Sequence, residues 1–594
     1  MKKSVLIVFL CVLSVFATGK GRVKGLVTNK NSQGILNVAI ILDGGKTGAA
    51  TNADGSYSFE IAPGEYEITF SHVQYKSLTK KIRVKEGEIL DVRVSLEEAV
   101  FNLDQVSVTG SATEMELKKL PSSICVITTA SPEFRGVTTI DDVLSRVPGI
   151  FVDRSRGLTT TGSHTSVSLR GTAATNRTLV MKDGIPLNNA YTGSVTEWNT
   201  MASNSISRIE VVRGAASSLY GTNAMGGVIN MITEIPQKQP VLEAGAKYGS
   251  INNAVFNLKA GKAFDNGFGF MLFSEYKQTD GYRYMDRSLW KNYYKKPTNE
   301  MLNITAKAVY HFKNASLLEF IGDFHQEKPE TGTTTIYDAN NKVGNFLLRY
   351  KTKTGRFGWN LTTYTNRSKN ETDAVKWNET TSAFDKSYYS TDVPYHENGI
   401  VGKINTVTGQ HTVTLGVDLR LYDLESDYDY AGKGTRQYEG QQLFYSAFVN
   451  DEIALGKKVN ASLGVRYDYW RNRDGKFSDN TSGEQVNISY PKKTSHAVSP
   501  KVGLVYRISE RYRLRTSFST GFKAPSMYYL YRSAPHGTTT FDLGNPDLDP
   551  ERMTYSCEAG GDFYLNDKLE LSATYYISRF KDFLDKINVS QENV

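Results

Sequence analysis

Side chains able to do covalent chemistry are thinly spread through this 594-residue chain. The eight histidines (His72, His164, His311, His325, His396, His411, His496 and His536) stand apart, without His-Glu-x-x-His or paired-cysteine spacing. Three cysteines, Cys11, Cys125 and Cys557, imply neither a disulfide framework nor a thiolate metal site. Gly226-Gly227 lacks the Lys-Ser/Thr pair of a phosphate loop, and the acidic run 423–429 reads as solvated loop charge rather than a calcium site. What stands out is fixed charge beside glycine. Arg170-Gly171 and Arg213-Gly214 each close a β-branched run. Glu452 and Glu558 fall on the polar phase of alternating segments, Glu452 with Ser446 and Asn450, and Glu558 with Thr554 and Ser556. Fixed cations of this kind look to a partner surface elsewhere in the same chain, and the two carboxylates line a polar face. No enzyme activity and no cofactor are expected.

The elements that must hold these charges are short strands. Thr178 to Met181, Ile209 to Val212 and Val228 to Ile232 are β-branched runs between Gly, Asn and Asp clusters, which predicts buried strands of a small domain. Thr139 before Ile140-Asp141-Asp142 predicts a short helix through Leu144, stopped by Pro148-Gly149. From about Val241 the pattern becomes strict alternation. Leu463, Val465 and Tyr467 oppose Ser462, Arg466 and Asp468; Leu415, Val417 and Leu419 share one face; Leu514, Thr516 and Phe518 oppose Arg513, Arg515 and Ser517. Segments of about ten such residues suit tilted strands crossing a bilayer, and Tyr and Trp at their ends suit interfacial girdles. The polar stretches 327–342 and 370–394 are expected to be long outward-facing loops. About fifteen candidate strands follow residue 240. In MTYSCEAGG the lipid-facing phase is read as Met553, Tyr555, Cys557 and Ala559.

Bulk properties agree with a β-rich, exported chain. Tyr numbers 35 and Gly 50, and a net charge of +8 on 70 basic and 62 acidic residues gives no argument for nucleic acid. Lys2 and Lys3 precede an apolar run from Val5 to Phe16, the layout of a secretory signal peptide and too short to span a bilayer. No later segment is apolar enough for a membrane helix, so a membrane-embedded form must be a closed barrel. Residues 21 to about 96 alternate in short strands with turn chemistry at 52–55 and 63–64, which predicts a β-sandwich. Between it and the small domain lies a β-prone run, Gln105, Val106, Ser107 and Val108, which reads either as a plain linker strand or as a strand without a sheet that binds by adding an edge to a partner.

Several motifs in register carry a resemblance to a known family. TNADGSYSFEIAPGEYEITFSHVQY resembles the carboxypeptidase regulatory-like domain, of transthyretin-like fold, which contributes no catalytic residues. VSLRG, RTLVMKDGIPLNN, IEVVRGAASSLYG and GGVIN resemble the plug of TonB-dependent outer-membrane receptors. TSFSTGFKAPSMYYLY and GNPDLDPERMTYSCEAG resemble their barrel. The resemblance implies an all-β-dominated chain: signal peptide 1–19, β-sandwich 20–98, TonB-box linker 99–119, α+β plug 120–236, and a transmembrane antiparallel β-barrel from 237 to 594. Against about 22 strands in outer-membrane transporters, and with QENV in place of a terminal aromatic strand, the barrel is expected to be incomplete, the chain being truncated.

The resemblance also implies roles. Asp104 to Thr109 become the coupling box for TonB of the energy-transducing inner-membrane complex. Arg170 and Arg213 pair with barrel carboxylates in a latch of charge-assisted hydrogen bonds, strong enough to seat the plug and breakable by pulling; Glu452 and Glu558 are the candidates, the alternative being that they only line a wet lumen. The expected function is TonB-dependent uptake of a scarce bulky nutrient across the cell outer membrane, with the N-terminal domain periplasmic. RTLVMKDGIPLNN resembles the iron-chelate and cobalamin receptors more than the larger glycan importers; the expected ligand is an iron siderophore or similar metal chelate, with cobalamin, haem or copper as runners-up. A non-transporting surface adhesion barrel is the alternative from another class. The loops 157–164 and 188–198 are expected to face the ligand. Outer-membrane lipid and a surface lipoprotein complete the expected partners.

Overall fold

The computed structural model describes residues 20–584 except 31, 37, 43–46, 53, 73–74, 98–105, 130, 135, 138, 155–164, 173–176, 190, 194, 196–197, 199–200, 284, 315, 355, 386–387, 537–539, 543 and 567–568. The expected leader 1–19, the first two residues of the expected coupling segment, Asp104 and Gln105, and the expected ligand-facing stretch 157–164 lie outside the described residues. The chain divides into two compact units, 1–105 and 106–594.

The first unit is built from two sheets. Ser56–Ile61, Gly21–Thr28 and Ile89–Asp91 form one, with Val94–Ser95 also on Gly21–Thr28; Thr47–Ala50, Ala39–Leu42, Gly64–His72 and Tyr75–Val84 form the other. Alternation along each strand sends Val23, Val27, Ile40, Ile68 and Phe70 into one shared core. Tyr57 is buried there and its hydroxyl donates to the Val92 carbonyl at 2.7 Å, the partner a buried phenol needs.

In the second unit an inner domain carries a five-stranded sheet in the order Ser123–Thr128, Ile206–Arg213, Gly227–Thr233, Thr178–Lys182, Ile185–Pro186. The three β-branched runs of the sequence are three of these strands, and Thr178–Lys182 runs parallel to Gly227–Thr233. Ile140, Val143 and Leu144 of the helix Ile140–Ser145 pack on Ile209, Val211 and Ile229. Gly149 ends that region at φ +80°, a value only glycine adopts freely.

Around this domain runs a sheet that, among the described residues, has 17 strands, each hydrogen-bonded to the next, from Val241–Gly249 to Leu569–Lys581. Two of them, Ala383–Phe384 and Val486–Ser489, are short tip segments, which leaves the fifteen long strands that the alternation predicts. Neighbours are antiparallel throughout. Among the described residues the first and last strands pair on one side only. The phases hold: Leu415, Val417 and Leu419 are exposed while Thr414, Asp418 and Arg420 are buried. No described helix is long and apolar enough to cross a membrane.

The polar stretches 327–342 and 370–394 are not loops. They are the continuing arms of hairpins such as Phe357–Asn378 with Tyr389–Thr408, in register from Phe357↔Thr406 to Ala374↔Tyr389. A 22-residue strand spans roughly 70 Å at ~3.3 Å per residue, far more than a tilted crossing needs. Beyond the bilayer both faces are free to be polar while the ladder still satisfies the backbone, so polarity there no longer signals a loop.

Candidate functional site

Buried ion pairs join the inner domain to the lumenal wall. Arg170 ends the strand Thr165–Leu169, and its Nη2 donates to Glu558 Oε2 at 2.6 Å with both side chains buried. Gly214 makes room for this pair: a Cβ there would lie 3.0 Å from Arg170 Nη1 and 3.5 Å from Glu558 Oε2, and its φ of +88° disfavours any other residue. The other oxygen of Glu558 accepts from the backbone N–H of Ser123 at 3.3 Å. One wall carboxylate therefore holds both the loop after a strand and the first residue of the sheet.

Arg213 and Glu452 do not join this arrangement. Arg213 Nη2 donates to the Pro148 carbonyl at 2.9 Å, because its side chain turns onto the Pro148-Gly149 corner of its own domain. Glu452 does face the lumen and is buried, yet it accepts from Asn450 Nδ2 at 3.0 Å and Ser462 Oγ at 2.9 Å within the wall. No inner-domain arginine reaches it among the described residues.

The partners actually used were not singled out by sequence. Arg177, at the head of Thr178–Lys182, forks onto Glu551, Nε to Oε2 at 2.7 Å and Nη2 to Oε1 at 2.9 Å. Lys523 Nζ lies 3.6 Å from the same carboxylate, and neither Lys523 nor Glu551 has any exposed side-chain surface. At the foot of that strand Lys182 meets Asp323 at 2.5 Å and Thr305 at 3.0 Å. In the following turn the Asp183 carbonyl accepts from Arg349, whose guanidinium also pairs with Glu319. A central strand is thus fastened to the wall at both ends. Elsewhere Arg420 and Arg466, bridged by Asp418, donate to the Tyr220 and Leu219 carbonyls at 3.2 and 3.3 Å. They cap the last turn of Ser217–Tyr220 where its carbonyls have no partner of their own.

The predicted coupling segment is not an unpaired strand. Val106–Ser107 pairs antiparallel with Met115–Glu116, and the segment is docked on the inner domain through one buried carboxylate. Glu210 Oε2 accepts from Ser107 Oγ at 2.7 Å and from the N–H groups of Val108 and Thr109 at 3.1 and 3.0 Å. Its Oε1 accepts from Arg208 Nε at 2.9 Å. Thr109 is held further by Tyr220, whose hydroxyl donates to its carbonyl at 3.0 Å, and by Asn230 Nδ2, 3.0 Å from its Oγ1. Burial, with Glu210 nearby, pushes the Tyr220 phenol far above its usual range, so it stays a donor.

At the end where the hairpin tips lie, Asn188 anchors the loop 188–198 by accepting from Val180 N at 2.8 Å and donating to the Thr178 and Gly193 carbonyls. Tyr191 at its crest stacks on Tyr438 with ring centroids 5.9 Å apart and tilts against Tyr528 at 5.6 Å. The Arg532 guanidinium lies 4.9 Å from the centre of the Tyr528 ring, and Tyr428 and Tyr430 complete a phenol-rich floor with this cation in it.

These features coincide with what comparison with known proteins finds. Residues 245–594 match the model of the TonB dependent receptor-like beta-barrel, 116–228 that of the TonB-dependent receptor plug domain, and 23–108 that of a CarboxypepD_reg-like domain. The chain is 25% identical over 497 residues to the vitamin B12 transporter BtuB of Vibrio vulnificus, covering 81% of this chain and 71% of that one. It is 24% identical over 533 residues to the iron-regulated outer membrane virulence protein of Vibrio cholerae, covering 85% and 73%. In fold it is similar to the ferric yersiniabactin uptake receptor FyuA of Yersinia pestis (TM-score 0.63, 16% identity, 78% of this chain and 73% of that one) and to the copper transporter OprC (TM-score 0.64, 16% identity, 78% and 72%). A lumen-filling domain bolted to a membrane-crossing antiparallel wall is the architecture these matches share, and the chain belongs to the TonB-dependent receptors, outer-membrane barrels that move nutrients across that membrane.

Proposed function

We propose that the cargo is an iron siderophore or a similar metal chelate with planar, anionic donor groups. The observation that carries this is the phenol-rich cluster where Tyr191 of the plug meets Tyr438 and Tyr528, with Tyr428 against Tyr438 and Arg532 beside Tyr528. Phenol rings stack on flat ligand groups, and a guanidinium in the same floor compensates their negative charge. The similarity to an iron-regulated outer-membrane protein supports the same reading. A second reading, cobalamin, is favoured by the similarity to BtuB. Growth of cells with and without the gene on a single ferric chelate or on cobalamin separates the two. A defect confined to iron supports the first reading, and a defect confined to cobalamin replaces it.

Energy for uptake comes through the coupling box in this reading, TonB adding a strand to Asp104–Thr109. The latch role belongs to Arg170 with Glu558 and to Arg177 with Glu551, while Arg213 and Glu452 stabilise their own domains. Replacing Val106 by Pro removes a ladder donor. Uptake is expected to be abolished while binding of the chelate to whole cells is unchanged; an equal fall in both would move the box elsewhere.

A further inference from the structure

One lumenal patch of the wall gathers buried acceptor atoms around a single carboxylate. It lies on three neighbouring strands, Lys295–His311, Leu317–Gly332 and Thr335–Thr354. Alternation turns Asn299 and Asn303 of the first, His325 and Glu327 of the second and Asn341 of the third to the same side. Register then brings them together, with Asn303 opposite His325 and Asn341 opposite Glu327. Asn299, His325 and Glu327 are each at most 1% exposed, and Asn341 is 6% exposed.

The hydrogen bonds decide which atoms face one another. Asn303 turns Nδ2 toward Glu275 Oε1 at 3.5 Å, so its Oδ1 meets His325 Nδ1 at 2.6 Å and holds the ring proton there. Nε2 is left as a lone-pair acceptor, 3.9 Å from Glu327 Oε2 and too far for a hydrogen bond. Asn299 donates Nδ2 to Glu327 Oε1 at 2.7 Å, which fixes its own Oδ1 as an acceptor. His325 Nε2, Asn299 Oδ1 and Asn341 Oδ1 are buried and make no hydrogen bond. Buried lone pairs left unserved are costly. One water has two protons to give, too few for these acceptors and a carboxylate together. A cation takes lone pairs from all of them.

We propose that this patch is a structural site for one first-row divalent cation such as Zn²⁺, held by His325 Nε2, Glu327 Oε2 and the side-chain carbonyls of Asn299 and Asn341. Two ligand bonds of ~2.1 Å reach across the 3.9 Å between imidazole and carboxylate. An imidazole among the donors favours this class over calcium and magnesium, which take oxygen ligands. Asn303 on Nδ1 supplies the outer partner that orients a metal-bound imidazole. Two of the four donors are amides, and among the described residues no three His, Cys, Asp or Glu gather as a metal site. The patch shares no residue with the phenol-rich cluster. Its place gives it a use. Two residues along the same strands, Thr305 and Asp323 hold Lys182 of the plug, so the ion braces the wall that carries this bolt.

Because the donors are buried, the ion enters as the barrel folds. The full chain, extracted from outer membranes of cells grown with added Zn²⁺ and washed briefly with EDTA, is expected to retain about one zinc per chain by elemental analysis. His325→Gln and Glu327→Gln should each lower that at least ~tenfold. His411→Gln, which alters an exposed histidine paired with Asp451, should leave it unchanged. Asn341→Ala keeps the imidazole and the carboxylate and should still lower retention. A wild-type chain that retains no zinc, or calcium or magnesium in its place, overturns the proposal whether or not the variants fold. So does undiminished zinc in a His325→Gln chain that still shows the heat-modifiable gel mobility of a folded barrel.

Discussion

Cells carrying Glu551→Ala are expected to leak. The Glu551 carboxylate has no exposed side-chain surface and stands between two cations, forked by Arg177 at 2.7 and 2.9 Å and 3.6 Å from Lys523 Nζ. Removing it leaves both cations buried without a counter-charge, which costs about 3–5 kcal/mol for a single broken pair. The cost falls on the seated plug alone, because in an unseated plug Arg177 is hydrated. At 1.4 kcal/mol per tenfold, the unseated fraction should rise at least ~100-fold. Sensitivity to a bulky glycopeptide antibiotic, normally excluded by the outer membrane, measures it. Unchanged sensitivity at equal receptor abundance would remove Arg177–Glu551 from the latch. Arg177→Met with Glu551→Met takes away both partners and leaves only Lys523 uncompensated, so it should leak less than the single change. Glu558→Gln should be milder still, since the amide oxygen still accepts from either Arg170 or Ser123 N.

Why Glu551 escapes a reading of the sequence follows from one backbone irregularity. Glu558 is correctly placed in the lumen by alternation, but continuing that phase backwards puts residue 552 inside and Glu551 outside. The strand Glu551–Asn566 has a register shift between Met553 and Tyr555, and a bulge exchanges the two faces. Met553 consequently packs inward on Ala215 and Met225 of the plug, opposite to its expected lipid-facing phase. A similar shift between Ser519 and Gly521 turns Phe522 from the outward phase to a buried position. Elsewhere, as in Val459–Asp479, alternation suffices: Arg466 and Asp468 are buried and Leu463, Val465 and Tyr467 exposed. The plug strands were legible because β-branched runs between glycines have few other conformations. Arg213 was misassigned for a different reason. The Arg-Gly dipeptide is needed there for Gly214, whose missing Cβ admits Arg170, and a pattern of residue types does not say which of its two members makes the contact.

The proposed coupling box gives the second large effect. Glu210 gathers Ser107 Oγ, Val108 N and Thr109 N on one oxygen, in a site with no solvent-exposed surface of its own. Hydrogen bonds to a charged acceptor contribute about 1.5–3 kcal/mol each, although three donors sharing one oxygen do not add fully. In Glu210→Gln the amide turns either a neutral oxygen or its own N–H₂ donors toward the box. A loss of about 3 kcal/mol is therefore conservative, and it corresponds to ~100-fold more undocked box. Arg208 keeps access to water, its side chain being 17% exposed, so the change leaves no stranded cation, unlike Glu551→Ala. Binding of the isolated TonB C-terminal domain to cargo-free receptor is expected to tighten by up to that factor, because strand addition requires an undocked box. A spin label at residue 108 should sharpen in parallel. If affinity and label mobility both match the wild type, Glu210 is a packing residue of the plug and the box is restrained elsewhere. If the label sharpens and affinity does not change, docking is not what limits access by TonB, and the hairpin of Val106–Ser107 with Met115–Glu116 becomes the element that must open.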